Sequence, residues 1–171
     1  KLVVVMHGRG DSIEGFRFLP DALGLPRLAY RLLNAPDRYY TGWSWYDLPP
    51  NQGPGVLRSR ALIVAELDAL RASGVASEDI VLFGFSQGCL MAIDVGLRYP
   101  HRLGGVCGIS GYMHFVDRLD EMIPRQERRD REPCFRLQAL GHGAAIASCH
   151  AARIVARHLA RLRASAVQPL R

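Results

Sequence analysis

The sequence predicts an α/β fold, a mostly parallel sheet with helices on both faces. Three observations predict it. Apolar, largely β-branched or small-residue runs recur at 2–6, 79–85 and 103–110, as in strands buried on both faces. Segments of helical spacing separate them, which is the alternation a parallel sheet needs. The 171 residues are 49% apolar and 22% charged, enough for one domain with a sizeable core and ordinary for a soluble protein.

Taken in order, "LVVVM" at 2–6 is the first strand, and HGRGDS follows it as a Gly-rich turn. Residues 12–24 predict a helix, capped by Ser12 and stopped by Gly24-Leu25-Pro26. "LAYRLLNAP" at 28–36 reads as a second strand. The stretch 37–55 is a long loop rich in aromatics, Pro and Gly, and loops of that length in compact domains are often functional. Residues 56–73 have helical spacing, with Leu57, Ala61, Val64, Leu67 and Leu70 on one side. "DIVLFGF" at 79–85 is the third strand, 87–98 a helix that ends before Tyr99-Pro100, and 103–110 the fourth strand. The chain opens without Met, so the expected core is clipped at its start. No internal repeat is present.

The third strand runs directly into Gly84-Phe85-Ser86-Gln87-Gly88 and then a helix. Strand, G-x-S-x-G, helix is the setting of a nucleophile elbow, where a sharp turn exposes the serine oxygen and small neighbours let strand and helix approach. Ser86 is therefore the candidate nucleophile. Acyl transfer also needs N–H donors for the developing oxyanion. One is the main-chain N–H of Gln87, and the second comes from the loop after an early strand, where HGRG puts the N–H of Arg9. His7 is expected to brace that loop rather than act in chemistry.

These motifs together resemble the phospholipase/carboxylesterase family of α/β-hydrolases, relatives of the acyl-protein thioesterases. The resemblance is carried by VVVMHGRGDS, the WSWYDL loop and EDIVLFGFSQGCLMAIDVGLRYPHRLGGVCGISGYM, and it covers about residues 1–123. It implies hydrolysis of carboxylic esters or thioesters through an acyl-serine intermediate, with Ser86 attacking and the Arg9 and Gln87 amides as oxyanion hole. Trp43, Trp45 and Tyr46 match the family's aromatic loop near the acyl site; a hydrophobic lid over the core accounts for them equally well. The implied substrate is a small-molecule ester or thioester, without cofactor or metal, in the cytoplasm, since no signal peptide or membrane span is visible. No nucleic acid and no stable membrane insertion are expected, and the oligomeric state is open.

The second half of a triad does not follow the family pattern. After GISGYM the family has a motif like THGxxD and then a later His. Residues 124–171 hold a single Asp, Asp130, inside the charged run "PRQERRDREP". His142 at the end of a fifth strand (134–140), with Asp117 after the fourth strand, is the substitute pair the sequence offers. The tail carries 10 Lys/Arg against 3 Asp/Glu, whereas residues 1–123 carry 12 against 13. The basicity thus belongs to the tail, which reads as a divergent or frame-shifted C-terminal segment with an Arg/Ala-rich helix at 144–165. The alternatives are a non-catalytic α/β-hydrolase-like protein or degenerate gene product, and a basic-helix module for lipid or nucleic acid. Cys89, Cys107, Cys134 and Cys149 show no framework and read as free thiols. Cys149, His150 and His142 do not complete a zinc ligand set.

Overall fold

The computed structural model describes residues 1–112 and 114, with the strands at 137–140 and 144–147. Four parallel strands form the sheet: β1 (Leu2–Met6), β2 (Ala29–Leu33), β5 (Ile80–Phe85) and β6 (Gly105–Ile109), ordered β2-β1-β5-β6. The pleat sends alternate side chains to opposite faces, and both faces are covered. Val3, Val5, Phe83 and Cys107 pack with Phe16, Leu19 and Leu23 of the short helix α1 (Leu19–Leu23) and the turn before it. Val4, Met6, Leu82 and Val106 pack with α2 (Gln52–Ala72) and α3 (Gln87–Arg98). Each such aliphatic side chain, fully buried, contributes about 1.5–3 kcal/mol, so the apolar runs specify the sheet.

The expected layered α/β architecture is present, with local differences. The helix expected at 12–24 is a 3-10 turn (Glu14–Phe16) followed by α1. Pro20 lacks an N–H and disfavours helical backbone before it, so the helix starts afresh with Pro20 in its first turn. Gly24 closes it with φ 57°, its N–H donating to Pro20 O. The stretch 37–55 contains an antiparallel hairpin, β3 (Asp37–Tyr39) and β4 (Gly42–Ser44), and the start of α2. The buried face of α2 is Val56, Ser59, Ile63 and Leu67, and Leu57 is 52% exposed. β7 (Leu137–Leu140) lies within the expected fifth strand. Its antiparallel partner β8 (Ala144–Ala147) occupies the start of the segment expected as a helix, because strand pairing overrides helix propensity here, even that of Ala, the best helix former. The rest of that segment, from 148, is outside the described residues.

α2 and α3 are joined by a buried ionic cluster. Asp94, 3% exposed, accepts from Arg60 Nε and Nη2 at 2.6 and 2.9 Å and from Arg98 Nε at 3.1 Å. Cys89 and Cys107 are buried free thiols. Burial pushes Cys89 up to about 11 and Cys107 up to about 12, so neither is a reactive thiolate at neutral pH. No helix among the described residues is long and apolar enough to cross a membrane.

Candidate active site

β1 and β5 are neighbours, but the chain leaves β1 for β2 on one side and β5 for β6 on the other. Ligands of open α/β sheets bind at such a switch point, outside the carboxyl ends of the strands. That crevice holds the segment from His7 to Asp11 after β1 and Ser86 after β5.

Ser86 has φ 52° and ψ −113°, a region that costs a non-glycine residue about 1–3 kcal/mol. Surrounding contacts enforce it. Ser86 N–H donates to Ile109 O at 2.9 Å, and Ser86 O accepts from Cys89 N–H at 3.0 Å. A Cβ on Gly84 would overlap Gly88 O, and one on Gly88 would overlap the carbonyl oxygens of Met6 and His7. Glycine at both positions is what lets β1, β5 and α3 converge. Ser86 itself is half-buried.

The loop after β1 lies against this elbow: a Cβ on Gly8 would stand 3.4 Å from Ser86 Cβ. His7 is 1% exposed. Its Nε2 accepts from Ala35 N–H at 3.1 Å, so Nδ1 carries the proton, directed at Gly8 O 2.6 Å away. Desolvation lowers its pKa, against the raising effects of Gly8 O and Asp11. With both nitrogens occupied in the neutral form, His7 is a brace and cannot serve Ser86 as base. Gly10 N–H donates to Trp43 O at 2.8 Å, and Trp43 N–H to Asp11 O at 2.9 Å. The hairpin β3–β4 is thereby annealed to the loop. A Cβ on Gly42 would overlap Gly10 O, so the close approach requires glycine there.

Gln87, the first residue of α3, ties the two halves together. Its side chain, 5% exposed, accepts at Oε1 from Trp45 N–H at 2.9 Å and Ser44 Oγ at 3.2 Å, and donates from Nε2 to Tyr46 O at 2.6 Å. Trp45 Nε1–H in turn donates to His7 O at 2.9 Å. A helix's first N–H groups have no intrahelical acceptor, which leaves the Gln87 N–H available, and the Arg9 N–H has no acceptor among the described residues. This latch of Gln87 to the 44–46 segment had no signal in the sequence.

Of the expected substrate-binding aromatics, Trp45 and Tyr46 are each 1% exposed and belong to the core. They hold the loop from behind, the placement that a lid over the core accounts for. Burial also raises the Tyr46 phenol, with Tyr112 beside it. Trp43 is half-buried beneath Arg38, whose guanidinium lies 4.8 Å from the ring centroid. His142 and Asp117 lie outside the described residues. Among the described histidines, His101 precedes β6 at the far end of the sheet, and His114 follows β6 at the same end as Ser86, with Nδ1 3.3 Å from Gln52 Nε2. No group of three or more metal-ligating side chains occurs among the described residues.

The profile of the phospholipase/carboxylesterase family matches residues 1–125. This chain belongs to that family. The acyl-protein thioesterase 1 of Schizosaccharomyces pombe is 31% identical over 137 residues, covering 72% of this chain and 61% of the relative. That of Aspergillus fumigatus is 38% identical over 164 residues, covering 82% and 65%. The crystal structure of Arabidopsis thaliana SOBER1 superposes with a TM-score of 0.66 at 25% identity, covering 73% of this chain and 68% of that one. The chain thus spans about three fifths of the length of these curated relatives, and its sheet is an α/β-hydrolase core of four described parallel strands.

Proposed function

We propose that this chain is a serine hydrolase of carboxylic esters or thioesters. The reading rests above all on Ser86, held half-exposed at φ 52° with the Gly8 loop packed on it. Ser86 Oγ attacks the acyl carbonyl. The carbonyl oxygen gains the charge and accepts from the N–H groups of Arg9 and Gln87, and loss of one such donor costs about 2.7–4 kcal/mol of transition-state stabilisation. Collapse expels the alcohol or thiol, which gains the proton that Ser86 Oγ gave up; water then attacks the acyl-serine, releasing the acid and returning a proton to Ser86 Oγ. The thioesterase names of the curated relatives favour the same class. The cytoplasm suits a chain whose Cys89 and Cys107 are free.

The test is a fluorophosphonate probe with mass-spectrometric mapping. We expect covalent labelling at Ser86, lost in Ser86→Ala. A correctly folded protein that takes no label points to a hydrolase-like fold without an activated serine.

A further inference from the structure

We propose that the Arg9 side chain is an anion-recognition site beside the nucleophile, and that the substrate carries a carboxylate or phosphate near its scissile carbonyl. The proposal rests on the serine-hydrolase reading and names the substrate class of that site.

Arg9 sits in the loop whose main chain faces Ser86. Its guanidinium carbon lies 4.0 Å from the centroid of the Tyr39 ring. That ring is held on its other sides. A Cβ on Gly10, which has φ +81°, would stand 3.6 Å from Tyr39 Cδ1, and Tyr40 packs edge-on at 4.6 Å. Arg9 is thus a planar cation fixed on an aromatic shelf.

What distinguishes Arg9 from the other cations of the described residues is a buried donor that nothing meets, its Nε. Lys1 pairs with Asp79, Arg17 with Glu14, Arg31 with Glu66, Arg58 with Asp37, and Arg60 and Arg98 with Asp94. Arg9 forms no salt bridge among the described residues, and its buried Nε meets no acceptor among them. The carboxylate nearest in sequence, Asp11, is engaged by Ser12 N–H at 2.7 Å and lies against Gly15. Buried donors are rarely left unmet, and the flat guanidinium fork matches the paired oxygens of a carboxylate or phosphate.

The position sets the ligand. The Arg9 main-chain N–H faces the scissile carbonyl in the proposed mechanism, so its guanidinium reaches only groups within one arginine length of that carbonyl. A plain fatty acyl chain laid there would strip water from a cation and return no hydrogen bond. A half-ester, or an ester whose leaving group bears a phosphate, would supply the missing acceptor. Arg38 does not share the task. It sits next to Tyr39 in β3, hence on the opposite face of the hairpin, over Trp43.

The test uses a p-nitrophenyl half-ester of glutarate and its neutral methyl-ester counterpart. Hydrolysis is followed on the whole chain, and binding of both compounds to the Ser86→Ala protein is measured by calorimetry. We expect kcat/KM and affinity to favour the half-ester by tenfold or more. Arg9→Met should abolish both preferences, and Arg9→Lys, which keeps charge without the fork, should retain part. A cationic counterpart should be disfavoured by the unsubstituted protein, a comparison that needs no variant. Equal binding of half-ester and neutral ester, or a preference that survives Arg9→Met, overturns the proposal. Preferential half-ester binding in a protein that takes no fluorophosphonate label supports the anion site and defeats the hydrolase reading instead.

Discussion

Replacing Gln87 with Met keeps the bulk of the side chain and removes its polar end, which isolates the latch. Three bonds are lost, but their consequences differ. Tyr46 O still accepts from Ser44 Oγ at 2.9 Å, and that same hydroxyl retains Tyr46 O as its acceptor when Gln87 Oε1 is gone. Trp45 N–H is left with nothing. An orphaned buried donor costs about 1–3 kcal/mol, and the two remaining bonds contribute about 0.5–1.5 kcal/mol each. The expected loss is therefore roughly 2–6 kcal/mol, a large share of the total stability of a domain this size. The damage should also reach the site, because Trp45 Nε1–H holds His7 O and Trp43 holds Gly10 and Asp11. Urea unfolding, with the slope checked for constancy, measures the first effect. The fluorophosphonate labelling rate at a urea concentration where both proteins are folded measures the second. Unfolding within about 0.5 kcal/mol of the unsubstituted protein, the range of an inert surface change, would refute the reasoning. So would an unchanged labelling rate.

Two further outcomes follow from the same geometry. Gly42→Ala places a methyl group on the carbonyl oxygens of Gly10 and Asp11; the hairpin must lift off the loop, and unfolding by urea should show a destabilisation of about 1–3 kcal/mol with slower Ser86 labelling. His7 is buried in the neutral form with its pKa lowered mainly by desolvation. The unfolded chain then binds more protons than the folded one between the folded value and about 6.5, so stability should fall as pH drops below about 6.5. The unfolding midpoint followed across that window should lose this component in His7→Gln.

Much of this architecture was legible because burial on both faces leaves a plain trace. Val3-Val4-Val5 and Ile80-Val81-Leu82-Phe83 are apolar without alternation, and each is a central strand. The elbow was legible because it needs glycine at 84 and 88 for reasons of space. The hairpin at 37–44 was not, since Asp37-Arg38-Tyr39 has no apolar alternation and its partner includes the Gly10-Asp11 loop, 32 residues before Trp43. Trp45 and Tyr46 match the family's aromatic loop and fit a lid over the core equally well, because a sequence does not say which way a loop aromatic faces. Only the third dimension shows that Gly55 admits them, for a Cβ there would strike Tyr46. The anion-deficient state of Arg9 was equally invisible, because it depends on where each carboxylate points.

The arrangement divides the chemistry into two physically separate problems. The proposed oxyanion donors, the N–H groups of Arg9 and Gln87, are main-chain groups, and their positions follow from the packing of β1, β5, α3 and the 43–46 segment. Those contacts involve 1% exposed side chains such as His7 and Trp45, so the core itself holds the two N–H groups, the preorganisation that electrostatic stabilisation by the proposed hole relies on. The proton acceptor for Ser86 is a different matter. His7, committed at both ring nitrogens to the loop after β1, is not that acceptor. A change within the core should therefore lower stability and oxyanion binding together, while a change in the base should slow acylation and leave the unfolding midpoint where it was. Parallel loss of stability and of Ser86 labelling in Gln87→Met is the pattern expected of a change in that framework.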